Sequence, residues 1–194
     1  MNRHTILFTS AGRRVELIKI WEKELCKRIN NYEIISVDIN PRLSAACLIS
    51  DKFFEIVKSN DKNYISNLLN IALKNNTKII IPTIDDDLEI LSKNRELFLS
   101  NNIEVLVSDY DFIESCNDKT KKKKLFKALR VETPEILDRK KLIFPCFLKQ
   151  KRGSSSKGTK KIPNNSYLCK NDFENIDNIF QEFIPNDWTE YSAD

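Results

Sequence analysis

Short runs of apolar residues alternate with longer segments in which apolar residues recur every three or four positions. The short runs predict β-strands, and the spaced pattern predicts amphipathic helices. In the first half of the chain, strands are predicted at 5–9, 33–37, 53–57, 78–82 and 103–107. The apolar helix faces between them are Leu17, Ile18, Trp21, Leu25 and Ile29, then Ile65, Leu68, Leu69 and Ala72, then Leu88, Ile90, Leu91, Leu97 and Phe98. Because strands and helices alternate, we predict an α/β fold with a Rossmann-like parallel sheet over residues 1–112.

The pattern changes after this sheet, which predicts a second, smaller domain over residues 113–194. A helical connector is expected at 110–116. The pair Asn117-Asp118 is a plausible N-cap for a helix that runs to Leu129, with Leu125, Phe126 and Leu129 as its apolar stripe. Thr133 ends this helical region, because the residue before a proline avoids helical angles. Strands are predicted at 135–137, 144–148, 159–162, 179–184 and 188–192, with a helix at 172–178.

Composition excludes several classes of protein. The five cysteines are far apart, and His4 is the single histidine, so zinc sites and histidine-based catalysis are disfavoured. No apolar run approaches the length of a signal peptide or a membrane span, which predicts a cytoplasmic protein without a membrane partner. The net charge of +4 favours an anionic ligand slightly but is too small to indicate nucleic-acid binding.

The segment 144–158, FPCFLKQKRGSSSKG, combines a short strand with a loop that is suited to phosphate. Small residues let the backbone approach an anion closely. The candidate ligands are Lys149, Gly153, Ser154, Ser155, Ser156 and Gly158, with added charge from Lys151, Arg152 and Lys157. The alternative is a solvated surface loop.

A second candidate site lies where the first predicted strand meets the first helix. Gly12, Arg13 and Arg14 stand at this junction, where helix N–H groups and two guanidinium groups could bind a carboxylate or phosphate. Asp38 ends the second strand, as the ribose-binding acid does in dinucleotide-binding proteins. A nicotinamide or flavin site is nevertheless disfavoured, because only one glycine of the three-glycine fingerprint is present. Ordinary surface charge is the alternative reading of the two arginines.

Three further patterns have simpler explanations. The carboxylates of Asp85, Asp86 and Asp87 fan out around a helix start, so capping and dipole complementation explain them better than a metal site. The lysine run 119–124 is interpreted as a solvated helix face. The segment 181–184 with Glu190 could offer backbone groups to an adenine and a carboxylate to a ribose, although a half-buried strand is the alternative.

Taken in order, these segments resemble the ATP-grasp superfamily, specifically proteins similar to the carbamoyl-phosphate synthase large chain. The opening ILFTSAGRR, then SVDINPRLSAA and IIIPTIDDDLEIL, look like the pre-ATP-grasp domain of that family. The helix start at Asp118, the strand and loop FPCFLKQKRGSSSKG, and QEFIPNDWTEYSAD look like the first part of the α+β ATP-grasp domain. The resemblance covers essentially the whole chain.

The resemblance implies a role for each matching residue. Lys119 and Lys149 would contact ATP phosphates, and the loop from Gly153 to Gly158 would fold over them. Glu182, Phe183 and Ile184 would form the adenine hinge, and Glu190 would bind ribose. ATP would phosphorylate a carboxylate or bicarbonate, and an amine would then displace the phosphate from the acyl-phosphate.

Two features depart from the family pattern. Gln150 stands where proline is usual, and Ser155 replaces a common loop glycine. The family's magnesium-binding residues would lie beyond Asp194, so the resemblance predicts an incomplete, truncated ATP-grasp domain that is inactive alone. A homo-oligomer is left open. A non-enzymatic nucleotide-binding or regulatory module is the alternative function, and a nicotinamide-dependent Rossmann oxidoreductase is the less favoured one.

Overall fold

A computed structural model describes residues 3–153, 158–185, 187–189 and 191. The chain divides into two compact units, Met1–Ile113 and Glu114–Asp194, and each is described by itself. The boundary falls within helix α6, Tyr110–Asn117.

The first unit contains a five-stranded, entirely parallel sheet. Its strands are β1 His4–Thr9, β2 Tyr32–Asp38, β3 Lys52–Glu55, β4 Thr77–Pro82 and β5 Glu104–Val105. The strand order is β3-β2-β1-β4-β5, so the order reverses between β1 and β4. The predicted α/β class and Rossmann-like parallel sheet are therefore confirmed.

Helices cover both faces of this sheet. They are α1 Val15–Arg28, α2 Ala45–Ile49, α3 Tyr64–Lys74, α4 Asp85–Lys93 and α5 Arg95–Leu99, with a 3-10 turn at Pro41–Leu43. Strand β1 alternates between two cores, because Leu7 packs toward α3, α4 and α5 whereas Ile6 and Phe8 pack toward α1 and α2. The period-2 pattern of a buried central strand thus serves both layers of helices.

The second unit is built on a four-stranded antiparallel sheet. Its strands are β6 Ile136–Leu137, β7 Cys146–Gln150, β8 Lys160–Ile162 and β9 Asn178–Glu182, in the order β6-β9-β7-β8. The helices are α7 Lys119–Ala128 and α8 Lys170–Glu174, with a 3-10 turn at Asn165–Tyr167. One face of the sheet is apolar and buried, and its core is Cys146, Leu148, Ile162 and Phe180.

Several element predictions need correction. The helix predicted across Leu88 and Phe98 is interrupted at Asn94, which caps the end of α4 and the start of α5. The predicted helix 172–178 lies at Lys170–Glu174, because the chain turns at Asn175, whose side chain accepts the amide of Asp177.

The predicted strand 188–192 is wrong where the structure describes it. Residues 187–189 and 191 are outside any strand, and the Trp188 amide instead closes a turn by donating to the Pro185 carbonyl.

The apolar stripe predicted for α7 is also incomplete, because Leu129 is 61% exposed.

Candidate functional site

The second face of the four-stranded sheet is lined by lysines and aromatic rings. Phe147 and Lys149 alternate with the buried Cys146 and Leu148 along β7, so both point away from the core. Lys161 on β8 lies directly opposite Phe147 in the ladder. The Phe147 ring stacks on the ring of Phe183, with centroids 6.4 Å apart. We call these four residues, Phe147, Lys149, Lys161 and Phe183, the open face.

Two lysines meet at the end of the open face where β7 enters the glycine-containing loop. The Lys119 ammonium, at the start of α7, donates to the Gly153 carbonyl at 3.2 Å. Partial burial, together with the charges of Lys122 and Lys149, lowers the pKa of Lys119. Within the described part of the chain, neither Lys119 nor Lys149 forms an ion pair with a carboxylate. An anion bound here would relieve the repulsion between these ammonium groups.

The glycines of the loop have backbone conformations that other residues rarely adopt. Gly153 has a φ of +126° and Gly158 a φ of +70°. A Cβ atom at either position would lie 3.4 Å from the side chain of Gln150, so both ends of the loop approach this amide closely. Gln150, the departure from the family pattern, therefore supports the two ends of the loop. The remaining predicted loop residues, Ser154, Ser155, Ser156 and Lys157, lie outside the described residues.

The cations at the start of the loop are engaged by carboxylates. Lys151 pairs with Asp118 at 3.4 Å, and Arg152 pairs with Glu114 at 2.6 Å. Both had been expected to add charge toward phosphate, and this expectation is corrected. Glu114 and Asp118 precede α7 and are distant in sequence from Lys151 and Arg152. The sequence alone therefore does not indicate these pairs.

Asp118 ties the start of α7 to the end of β7. Its carboxylate accepts from the amides of Thr120 and Lys121, as the predicted N-cap should. Burial alone would raise the pKa of Asp118, but the hydrogen bonds from Thr120 and Lys121 and the ammonium of Lys151 lower it to about 2. The Lys119 amide also donates to the Lys151 carbonyl, so the cap fixes the position of Lys119.

The opposite end of the open face carries the predicted adenine hinge. Strand β9 ends at Glu182, so Phe183 and Ile184 continue beyond the ladder. The Glu182 carboxylate accepts a hydrogen bond from the Glu135 amide, so this side chain is engaged within the sheet. Glu190, the predicted ribose ligand, lies outside the described residues.

The two ends of the open face are separated by the length of β7. Gln150 pairs with Asn178 at the loop end and Cys146 pairs with Glu182 at the hinge end, a separation of four residues or about 13 Å.

Phe147 and Lys161 were missed as functional candidates from the sequence. The alternation that places Lys149 on the open face also places Phe147 there, so Phe147 could have been found. Lys161 could not, because its place depends on the register between β7 and β8.

In the first unit, the loop 10–14 is held by its own neighbours. The Gly12 amide donates to the Asp38 carboxylate at 2.9 Å, and the Gly12 carbonyl accepts from the hydroxyl of Ser44. Asp38 also accepts the amide of Asn40. The carboxylate that a dinucleotide site would use for ribose is thus engaged by the backbone.

The two arginines of this loop differ. Arg14 donates to the Thr83 carbonyl at 3.4 Å, whereas exposed Arg13 forms no ion pair with any residue that the structure describes. The geometry brings both to the carboxyl edge of the sheet, next to the point where the strand order reverses.

Asp87 differs from its two neighbours in being completely buried. The N-cap of α4 is Ile84 and no side chain caps the helix, so the predicted capping by aspartate is wrong. The three aspartates do lie in the first turn, where they complement the helix dipole. Asp87 instead accepts a hydrogen bond of 2.6 Å from the Thr9 hydroxyl.

Burial raises the pKa of Asp87, and the hydrogen bond from the Thr9 hydroxyl offsets only part of that rise. Burial also raises the pKa of the adjacent Tyr64. A buried carboxylate with a raised pKa favours the folded state most when it is protonated, and its contribution to stability falls as pH rises above the value of an exposed aspartate.

We therefore expect Asp87→Asn to stabilise the chain at neutral pH. The amide keeps the acceptor for Thr9 without a buried charge, and single stabilising substitutions commonly raise the free energy of unfolding by about 0.5–2 kcal/mol. Thermal unfolding at pH 5 and pH 8 measures it, and the gain should be larger at pH 8. Asp86→Asn, at an exposed position in the same turn, is the matched control and should bring no gain. A loss of stability in Asp87→Asn at pH 8 would contradict this account.

Metal-ligand clusters and membrane-spanning helices were sought among the described residues only. Among them, no three His, Cys, Asp or Glu side chains come together as metal ligands. None of the helices in the described ranges is long and apolar enough to cross a membrane.

Comparison with known proteins adds a family and a fold. The family described as "PylC-like, N-terminal domain" matches residues 6–106. No curated protein sequence matches the chain.

Three similar solved structures are ATP-grasp proteins. Pyruvate carboxylase of Rhizobium etli, with acetyl coenzyme A, has a TM-score of 0.63 and 12% identity, covering 94% of this chain and 18% of that one. The biotin carboxylase domain of Hydrogenobacter thermophilus 2-oxoglutarate carboxylase, with MgADP, ADP and bicarbonate, has a TM-score of 0.62 and 17% identity, covering 92% and 44%. N5-carboxyaminoimidazole synthase of Aspergillus clavatus, with ADP and 5-aminoimidazole ribonucleotide, has a TM-score of 0.57 and 11% identity, covering 94% and 47%.

These identities show a shared fold only. The chain spans less than half the length of each of these proteins.

Proposed function

Because the chain belongs to the family described as PylC-like, N-terminal domain, we propose that it is the nucleotide-binding part of an ATP-dependent ligase. Residues 1–112 serve as the pre-ATP-grasp domain and residues 113–194 as the first part of the ATP-grasp domain. The reaction class is the joining of a carboxylate, or bicarbonate, to an amine through an acyl-phosphate. A cytoplasmic location is part of the proposal.

One observation carries this proposal. Lys119 and Lys149 converge at the base of a loop whose glycines have positive φ angles, and no carboxylate of the described chain pairs with either ammonium. A polyphosphate supplies the negative charge that this cluster lacks. The remainder of an extended nucleotide then lies along β7, with its base at Phe183.

The chain's own residues supply binding and orientation. Lys119 and Lys149 neutralise phosphate charge, the loop residues from Gly153 to Gly158 bind the phosphates, and residues 182–184 hold the base. Glu190 is the proposed ribose ligand. This is the positioning and charge neutralisation on which phosphoryl transfer depends.

Magnesium is not assigned to residues of this chain. The fold family implies the ion, and the Hydrogenobacter structure contains MgADP, but the described residues include no suitable cluster of carboxylates. We therefore assign no step of the reaction to a metal held by these side chains.

The acceptor is proposed to be an anion held near Gly12, Arg13 and Arg14. Exposed Arg13 supports this choice. The Gly12 amide already donates to Asp38, so Gly12 is proposed to have a structural role in the loop. The finer hypothesis within the ligase class is a ligase similar to the carbamoyl-phosphate synthase large chain, without carbamoyl-phosphate synthesis as its reaction. The order of the sequence motifs supports it.

Calorimetric titration of the 194-residue chain with ATP, beside the same titration with NADH, tests the proposed function. We expect heat from ATP binding and none from NADH, because the Asp38 carboxylate is engaged by Gly12 and Asn40. Binding of NADH without binding of ATP would favour the oxidoreductase alternative and contradict the proposal.

A further inference from the structure

Lys161 is the member of the open face that neither the sequence motifs nor the proposed phosphate site uses. It lies on β8 between Lys160 and Ile162, which point to the other side of the sheet. Ile162 is buried in the core, and Lys160 pairs with Asp172 at 2.6 Å. Strand alternation therefore directs Lys161 to the open face, and no ion pair joins it to a residue that the structure describes.

The partner of the Lys161 ammonium is an aromatic ring. Its nitrogen lies 4.0 Å from the centroid of the Phe183 ring, which is within the range of a cation–π contact. The Phe183 ring is stacked on Phe147 at an interplanar angle of 25°. The Phe183 ring therefore contacts both the Lys161 ammonium and the Phe147 ring.

Lys161 and Lys149 occupy different levels of the sheet. Lys161 is opposite Phe147, whereas Lys149 is two residues nearer the glycine-containing loop, a distance of about 7 Å along the strand. Lys149 is also close enough to Lys119 to lower its pKa. The Lys149 ammonium also lies 5.1 Å from the centroid of the Phe147 ring. Lys149 therefore lies between the phosphate end and the aromatic pair, whereas Lys161 contacts the Phe183 ring itself.

We propose that Lys161 is a positioning residue for the nucleotide base, acting through Phe183. This inference rests on the proposed function, since it assumes that the base binds at residues 182–184. Its ammonium keeps the Phe183 ring against Phe147 and so fixes the backbone that receives the base. Affinity for the base should depend on Lys161, and affinity for the phosphates should not.

The test compares ATP with inorganic tripolyphosphate, which has the phosphates but no base. Calorimetric titrations are made on the wild type, Lys161→Met and Lys161→Arg. We expect Lys161→Met to weaken ATP binding about threefold to thirtyfold and to change tripolyphosphate binding less than twofold. Lys161→Arg should restore ATP binding, because arginine also forms cation–π contacts.

Two controls keep the test interpretable. Lys140→Met removes an exposed lysine of the same unit and should leave both affinities unchanged. Phe183→Leu should reproduce the selective loss of ATP binding with Lys161 intact. This variant tests the same contact if Lys161→Met does not fold.

Each outcome supports or overturns the proposal. An equal loss of ATP and tripolyphosphate binding in Lys161→Met would show a role at the phosphates, and an unchanged ATP affinity would show no role; either overturns the inference alone. A wild-type chain that binds tripolyphosphate but not ATP, or neither, overturns the proposed function as well.

Discussion

Lys149→Met is expected to weaken ATP binding about tenfold to a hundredfold. A charge-assisted hydrogen bond contributes about 1.5–3 kcal/mol, and each tenfold change in affinity corresponds to about 1.4 kcal/mol. Methionine keeps the unbranched stem on the open face while removing the ammonium. Titration calorimetry with ATP at fixed salt measures the change, because phosphate contacts are sensitive to ionic strength.

The matched variants separate this effect from a general loss of positive charge. Lys119→Met should show a similar loss, since its ammonium shares the phosphate end with Lys149. Lys140→Met, at an exposed position outside the loop, should bind ATP like the wild type. ATP affinity that is the same in Lys149→Met and Lys140→Met would remove Lys149 from the site.

Asp118→Ala is expected to destabilise the second unit by about 2–3 kcal/mol at neutral pH. The side chain is 3% exposed, caps α7 and pairs with Lys151. Loss of an N-cap costs about 1 kcal/mol, and the lowered pKa of about 2 adds a contribution of similar or larger size. Chemical denaturation monitored by circular dichroism measures the loss.

The pH dependence of the free energy of unfolding shows how much the charge of Asp118 contributes. Because the folded-state pKa of Asp118 is below that of an exposed aspartate, its contribution is complete above about pH 4 and is lost as pH falls toward 2. Asp118→Asn keeps the cap but not the charge, so it should be less destabilised than Asp118→Ala. An Asp118→Ala variant as stable as the wild type at pH 7 would contradict the role of Asp118.

The periodicity of the sequence predicts the five strands and the longer helices of the first unit, but not the five-residue helix α2. Buried parallel strands such as β1 and β4 are short apolar runs, and the helices between them show a clear apolar face. The division between α4 and α5 was not predictable, because the apolar residues continue at helical spacing across Asn94 while the backbone turns there.

The second unit was harder to predict, since its strands are short and its pairings join distant residues. Lys149 followed from a local motif. By contrast, the ion pairs of Lys151 and Arg152 depend on how α7 packs against the end of β7, and the contact of Lys161 with Phe183 depends on strand register. Tertiary contacts of this kind leave no local signal.

Asp87 shows the same limit in the first unit. From the sequence it is one of three equivalent acids at a helix start, and only the angle of α4 against β1 buries it beside Thr9. The three carboxylates consequently differ in exposure and in pKa although they are adjacent in the chain.

Mapping ATP binding by nuclear magnetic resonance tests the central claim most directly. Backbone amide shifts of the 22.7 kDa chain would be followed as ATP is added. The account predicts that the largest changes occur at Lys119, Lys149, Gly158 and Phe183, with little change at residues 10–14. Changes concentrated at residues 10–14 and Asp38, with the open face unaffected, would contradict it.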